Sequence, residues 1–147
     1  IEGARIGAEC ELGPFARLRP GTELVERVKI GNFVEVKNAA IGEDSFASHL
    51  AYVGDAEVGR DVNLGAGSIT ANFDPVRGTK HRTIIEDKVK VGSNAVLVAP
   101  VTVHEGASVA AGSVITKDVA PYDLAIARCR QSAIAGWVKK VLDQVKA

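Results

Sequence analysis

From Ile6 the chain places an aliphatic residue every six positions: Leu12, Leu18, Leu24, Ile30 and Val36 follow. A five-residue step reaches Ile41, then Ala47 and Val53, and a second reaches Val58, then Leu64 and Thr70. The register lapses for fifteen residues, resumes at Ile85 and runs through Val91, Leu97, Val103, Val109 and Ile115. Sixteen of these eighteen positions are Val, Ile or Leu and eight are followed directly by glycine, a regularity that chance does not sustain over about 110 residues.

A helix would return apolar residues at three and four, and a half-buried strand at two. A period of six, with β-branched residues and turn-forming glycines, predicts short strands joined by tight corners. Three units close one triangular coil, so eighteen positions make about six coils. The coils stack at the parallel-strand spacing of ~4.8 Å. Corner aliphatics fill a narrow interior, and each coil is stabilised mainly by its neighbours. The five-residue steps leave some coils with seventeen residues. The expected architecture is an all-β solenoid over residues 1–129.

Three segments depart from the repeat. Ile1 lies five residues before Ile6, so the amino end reads as a coil cut open. Such an edge is unpaired, and the chain, which has no methionine, is expected to be part of a longer protein. Residues 71–84, "ANFDPVRGTKHRTI", are an expected insertion loop, and long loops in compact repeats are often functional. Residues 130–147 read as a helix, with Ile134, Val138, Val141 and Val145 at helical spacing beside Trp137 and Leu142. It either caps the last coil or packs on a neighbouring subunit.

Composition narrows the function classes. The 147 residues suffice for one domain with a core. Eighteen cationic and eighteen anionic residues balance, so no polybasic face points to nucleic acid. No run approaches the ~18 apolar residues of a membrane span, and no signal peptide is visible. Cys10 and Cys129 are far apart, read as plain thiols, and fit a reducing, cytoplasmic compartment.

The stretch "ASHLAYVG", residues 47–54, breaks the pattern: the corner shrinks to Ala47, and His49 and Tyr52 follow. The register stacks His49 above Asn32, with Ala66, Ser93 and Ala111 at the same place in later coils. Small residues below a histidine leave a groove for a long, thin ligand. A second column holds Arg19, Lys37 and Gly54, a third Arg17, Glu35 and Tyr52. Two stacked cations repel unless an anion sits between them. The grouping of Arg19, Lys37, Glu35, His49 and Tyr52 therefore suits a phosphorylated substrate and a general base. An isolated histidine in a repeat protein is ordinarily a solvated surface residue, and it is this company that favours the functional reading. A zinc site is a rival, but His81 falls in the loop and His104 on another face, so they do not converge with His49 inside one chain.

The repeat resembles that of the hexapeptide-repeat acyltransferases, which implies a left-handed parallel β-helix. More specifically, "GPFARLRPGTEL", "IGNFVEVKNAAIG", "SHLAYVGDAEVGRDVNLGAGSITANFD", "KVKVGSNAVLVAPVTV" and "AIARCRQ" are similar to one family. It is the acetyltransferase half of the bacterial bifunctional N-acetylglucosamine-1-phosphate uridyltransferases and glucosamine-1-phosphate acetyltransferases. The resemblance implies acetyl transfer from acetyl-CoA to the 2-amino group of glucosamine-1-phosphate, in the supply of UDP-N-acetylglucosamine for cell-wall and outer-membrane precursors. It makes His49 the catalytic base, Arg19 and Lys37 the sugar-phosphate ligands, and Tyr52, Asn63 and the loop residue Lys80 sugar contacts. Ala66, Asn72, Phe73, Ser93, Ala111 and Arg128 match acetyl-CoA contacts. Arg77 or Arg82 are alternatives to Lys80, because the loop is longer than in some relatives. The resemblance also implies a homotrimer with acetyl-CoA between subunits, so that His49 of one chain works with Arg128 or the carboxy-terminal segment of another. No metal is expected for this half. A uridylyl-transfer half is not expected in these residues, which carry no Gly-rich nucleotide loop after a strand.

Chemistry fits that reading. A substrate ammonium must lose its proton before attack, and histidine, with an ordinary pKa of ~6.5, suits the task. Glu35, in the neighbouring column, is expected to orient the imidazole or hold the amine. A backbone N–H near Ala66 is expected to stabilise the thioester oxyanion. No cysteine falls in the column, so direct transfer without an acyl-enzyme is expected.

Overall fold

A computed structural model describes residues 1–145. Three parallel sheets form the sides of a prism. The first carries Arg5–Ile6 (β1), Glu23–Leu24 (β4), Ala40–Ile41 (β7), Ala56–Val58 (β10), Thr83–Ile85 (β15) and Val101–Val103 (β18). The second carries Glu11–Leu12 (β2), Lys29–Asn32 (β5), Phe46–His49 (β8), Asn63–Leu64 (β11), Lys90–Val91 (β16), Ser108–Val109 (β19) and Leu124–Ala125 (β21). The third carries Arg17–Leu18 (β3), Glu35–Lys37 (β6), Tyr52–Gly54 (β9), Ile69–Ala71 (β12), Val96–Val98 (β17) and Val114–Ile115 (β20). The chain visits the sides in turn, so strands three apart in sequence pair as neighbouring rungs, five apart where the strands of an inserted hairpin intervene, and β19 pairs with β21. The predicted stacked-coil solenoid is what forms, and β21 begins a seventh turn.

The core holds two columns per side. Leu18, Ile30, Val36, Ile41, Val53, Ile85 and Leu97 are buried corner residues of the six-residue repeat. The residue two positions before a corner also points inward, because strand side chains alternate: Val28, Val34, Ala39, Ala51, Val89 and Ala95 are buried too. This second column escaped the sequence pattern because it mixes valine with alanine, serine and threonine. Its hydroxyls are mostly satisfied. Ser45 Oγ donates to the Gly59 carbonyl at 2.8 Å and accepts the Val62 N–H at 2.9 Å. At the corner position Thr70, Oγ1 accepts the Gly54 N–H at 2.7 Å and donates to the Gly54 carbonyl at 2.9 Å.

The eight glycines directly after a repeat position do a different job from the expected one, since none of them has a positive φ. Left-handed backbone sits mainly on other residues, among them Phe15 (φ 60°), Phe33 (φ 57°) and Leu50 (φ 47°), each three past a corner. Gly31 is required for close approach of rungs, since a Cβ there would lie 1.8 Å from the Ser48 carbonyl oxygen.

The insertion is narrower than residues 71–84, because Ala71 ends β12 and Thr83 starts β15. Between them Phe73–Asp74 (β13) and Thr79–Lys80 (β14) form an antiparallel hairpin. Asp74 Oδ1 closes its tip by accepting the N–H groups of Val76 at 2.9 Å and Arg77 at 3.1 Å.

The helix is also shorter than expected. It spans Trp137–Val145 (α1), after Gly136 in the left-handed region at φ 67°, and residues 130–136 are not helical. The last two residues of the expected 130–147 helix lie outside the described residues. None of the α1 residues is buried, so the cap on the last coil is not realised within the chain.

Candidate functional site

His49 ends β8 and pairs across the rung with Asn32, as the register required. Leu50 then turns the chain from the second side to the third. The imidazole is exposed and opens on a groove with Ser48, Gly31, Asn32 and Lys29. Below it the column of Ala66, Ser93 and Ala111 is joined rung to rung. The Asn94 N–H donates to the Ala66 carbonyl and the Gly112 N–H to the Ser93 carbonyl, both at 2.8 Å. Arg128 Nη1 donates to the Ala111 carbonyl at 2.8 Å. Arg128 therefore stands at the foot of its own chain's column, ~14 Å below His49 at three rung spacings to Ala111. Asn63 lies on β11, between Phe46 and Lys90 of the adjoining rungs.

A second cluster occupies the third side and the corner after it. Arg17, Glu35 and Tyr52 stack in one column, and Lys37 faces Gly54. Glu35 Oε1 accepts from Arg19 Nη1 at 2.8 Å, and its other oxygen lies 3.9 Å from Arg17 Nη1. The expected anion beside the stacked cations is thus partly internal. No hydrogen bond joins Glu35 to His49 among the described residues; the Glu35 carboxylate serves Arg19. Lys80 reaches Lys37 from the hairpin. Contact with the Lys80 amine, then the Lys80 and Arg19 charges, hold Lys37 below the ordinary lysine range. The sequence placed Lys80 here only through the family resemblance, and Arg77 and Arg82 are engaged elsewhere, with Asp74 at 2.8 Å and Glu57 at 2.8 Å.

Asn72, at the neck of the hairpin, is buried, whereas Phe73 is 55% exposed and pairs with Lys80. Asn72 Nδ2 lies 3.5 Å from the Tyr52 hydroxyl and donates to Asp55. Asp55 and its other partner, Asn38, were not among the candidate residues. Burial pushes the Asp55 carboxyl up, but the two amide donors, with Lys80 and Lys37, outweigh it and hold it below the usual range. The only signal for Asp55 in the sequence was its place at a five-residue corner.

His49 and its column lie just before the third side, with Arg19 just past β3 and Lys37 at the end of β6. Among the described residues no three His, Cys, Asp or Glu side chains gather as a metal site. Among the described residues no helix is long and apolar enough to cross a membrane.

Residues 82–117 match the family described as bacterial transferase hexapeptide (six repeats). Over 137 residues, 93% of the chain, the sequence is 59% identical to the curated "Bifunctional protein GlmU" of Marinobacter nauticus. The protein of the same name from Saccharophagus degradans is 55% identical over 141 residues, 96% of the chain. The chain belongs to the bacterial hexapeptide-repeat transferases. It spans about 30% of the length of the curated relatives it matches. Solved structures share the fold. An AntD variant, an N-acyltransferase from Bacillus cereus in complex with dTDP and coenzyme A, superposes with a TM-score of 0.72. That match is 18% identical and covers 97% of this chain and 90% of that one. PerB from Caulobacter crescentus, in complex with CoA and GDP-perosamine, gives 0.62 at 22% identity over 83% of this chain and 55% of that one.

Proposed function

We propose that the chain is the acetyl-transferring part of a GlmU-type protein, moving acetyl from acetyl-CoA to the 2-amino group of glucosamine-1-phosphate. The observation that carries this reading is the convergence of Arg19, Lys37 and Lys80, with Lys37 and Lys80 close enough to depress a lysine pKa. Cations crowded in this way gain most from a doubly charged phosphate, which removes their mutual repulsion. Arg19 and Lys37 share the next column position on successive rungs, and Lys80 closes the group from the loop. Tyr52 and Asn63 contact the sugar.

His49 takes the proton from the substrate ammonium, and the freed amine attacks the thioester carbonyl carbon. The tetrahedral oxyanion is stabilised by backbone N–H groups near Ala66, and its collapse breaks the C–S bond. The CoA thiolate leaves and takes up the proton shed by the new amide nitrogen, and His49 returns its own proton to solvent. Acetyl-CoA lies down the column of Ala66, Ser93 and Ala111 toward Arg128, with Asn72 and Phe73 beside it. A homotrimer completes the site, a neighbouring chain closing the groove over the column. The enzyme works in the bacterial cytoplasm, without a metal for this step. Solved structures of the same fold, described as an N-acyltransferase and as a hexapeptide-repeat acetyltransferase, are in keeping with acyl transfer as the reaction class.

The test is CoA thiol release with acetyl-CoA and glucosamine-1-phosphate, in the wild type and in His49→Ala. Turnover that falls by about 10²–10⁴ in the variant is expected for loss of a general base. Turnover unchanged in the variant discards His49 as the base. Turnover only with a sugar-nucleotide amine, the ligand type present in the PerB structure, moves the substrate elsewhere within the family.

A further inference from the structure

We propose that Asp55 is a positioning residue that locks the neck of the inserted hairpin, through Asn72, to the solenoid, setting Lys80 and Lys37 as one phosphate-facing surface. Its functional half rests on the sugar-phosphate reading above; its structural half does not.

The corners that follow the third side repeat one polar feature. Asn38 lies two past Val36, Asp55 two past Val53, and Asn72 two past Thr70. At the first two the chain turns in five residues instead of six, with φ of 46° and 47°. At the third it opens into the hairpin. These three side chains form a ladder over three rungs. Asn38 Nδ2 donates to Asp55 Oδ1, and Asn72 Nδ2 donates to Asp55 Oδ2. A carboxylate only accepts, so it orients both amides as donors and leaves the Asn72 oxygen for another partner.

The backbone runs through the same residue. The Asp55 N–H donates to the Lys37 carbonyl at 3.0 Å, and the Thr83 N–H donates to the Asp55 carbonyl at 3.1 Å. Asp55 thus joins the Lys37 rung to the strand on which the hairpin returns. The His81 N–H donates to the Asn72 carbonyl at 2.8 Å and closes the neck, while Phe73 pairs with Lys80. The chain of contacts therefore runs from Asp55 through Asn72 and the neck to Lys80, and back to Lys37. Asp55 is 7% exposed, so its charge is fixed beneath the two lysines and is not free to compete for solvent-borne ligands. Glu35 does not duplicate it, because that carboxylate faces Arg19.

Asp55→Asn preserves volume but supplies one acceptor oxygen, so one of the two asparagine amides must turn over or face a donor. Two readouts separate the halves of the proposal. Hydrogen exchange over residues 72–82 is expected to rise about tenfold, the loss of one hydrogen bond to a charged group, with other rungs unchanged. The KM for glucosamine-1-phosphate is expected to rise about tenfold with kcat held within about threefold. Unchanged exchange in a folded Asp55→Asn protein overturns the anchor. Raised exchange with unchanged KM, or a loss confined to kcat, overturns the positioning role. If Asp55→Asn does not fold, Asn38→Ala strips one amide from Asp55 and must raise exchange at the neck by a smaller factor; no rise overturns the anchor. A wild type that neither binds nor turns over the sugar phosphate fails the substrate reading, and exchange alone then decides the anchor.

Discussion

The phenol of Tyr52 lies over Gly54, two residues along the same strand: a Cβ on Gly54 would come 2.3 Å from the phenolic oxygen. Residues two apart share one side of a strand, so the ring occupies the space that a side chain at 54 would take. That space sits on the rung beside Lys37. Gly54→Ala is expected to push the ring out, with a stability loss of about 1–3 kcal/mol from overpacking. The KM for glucosamine-1-phosphate should rise with it. Thermal melts and steady-state kinetics check both, and an unchanged KM would remove Tyr52 from the sugar site.

Lys80 is expected to cost stability and provide affinity. It depresses the Lys37 pKa from 10.5, so between the lowered value and 10.5 the unfolded chain binds more protons than the folded one. Stability therefore rises with pH across that window. Lys80→Gln should flatten the rise, raise the melting temperature near neutral pH at low salt, and weaken sugar-phosphate binding. Melting against pH in the two proteins tests the sign. A lower melting temperature in Lys80→Gln would contradict the crowding of these cations.

Thr83 is fully buried, and its Oγ1 has no hydrogen-bond partner among the described residues. A buried hydroxyl without a partner costs about 1–3 kcal/mol. Thr83→Val keeps the shape and deletes the orphan, so it is expected to stabilise by about 1 kcal/mol. Chemical denaturation measures this, and a destabilised variant would show that the hydroxyl finds a partner in solution.

Helix α1 buries nothing on the solenoid, and its Trp137 and Leu142 are 55% and 53% exposed. Truncation after Gly136 is therefore expected to leave the β-sheet circular dichroism signal unchanged. If the helix packs on a neighbouring chain, the truncated protein should instead lose its oligomeric state in analytical ultracentrifugation. A melting temperature lowered at unchanged oligomeric state would return the helix to the role of a cap.

A period of six determined the three sides, the corners and the columns of this protein. In-register parallel stacking maps position along the chain directly onto place in space. That is why Asn32 beside His49, Glu35 between Arg17 and Tyr52, and Gly54 beside Lys37 were all legible in advance. The inner column of small residues was not, because alanine, serine and threonine carry no hydrophobic signal of their own. Nor was the use of glycine for rung approach, which depends on the backbone of the coil above. Only the tertiary structure decided where the hairpin folds, which puts Lys80 on Lys37, and only it decided that Glu35 pairs with Arg19. It also decided the ladder through Asp55: that residue sits two past Val53, where the repeat specifies no side chain, and its partners come from the coil before and the neck of the loop after. Periodicity positions rungs, whereas side-chain direction at the corners is settled by the contacts that only the folded stack supplies.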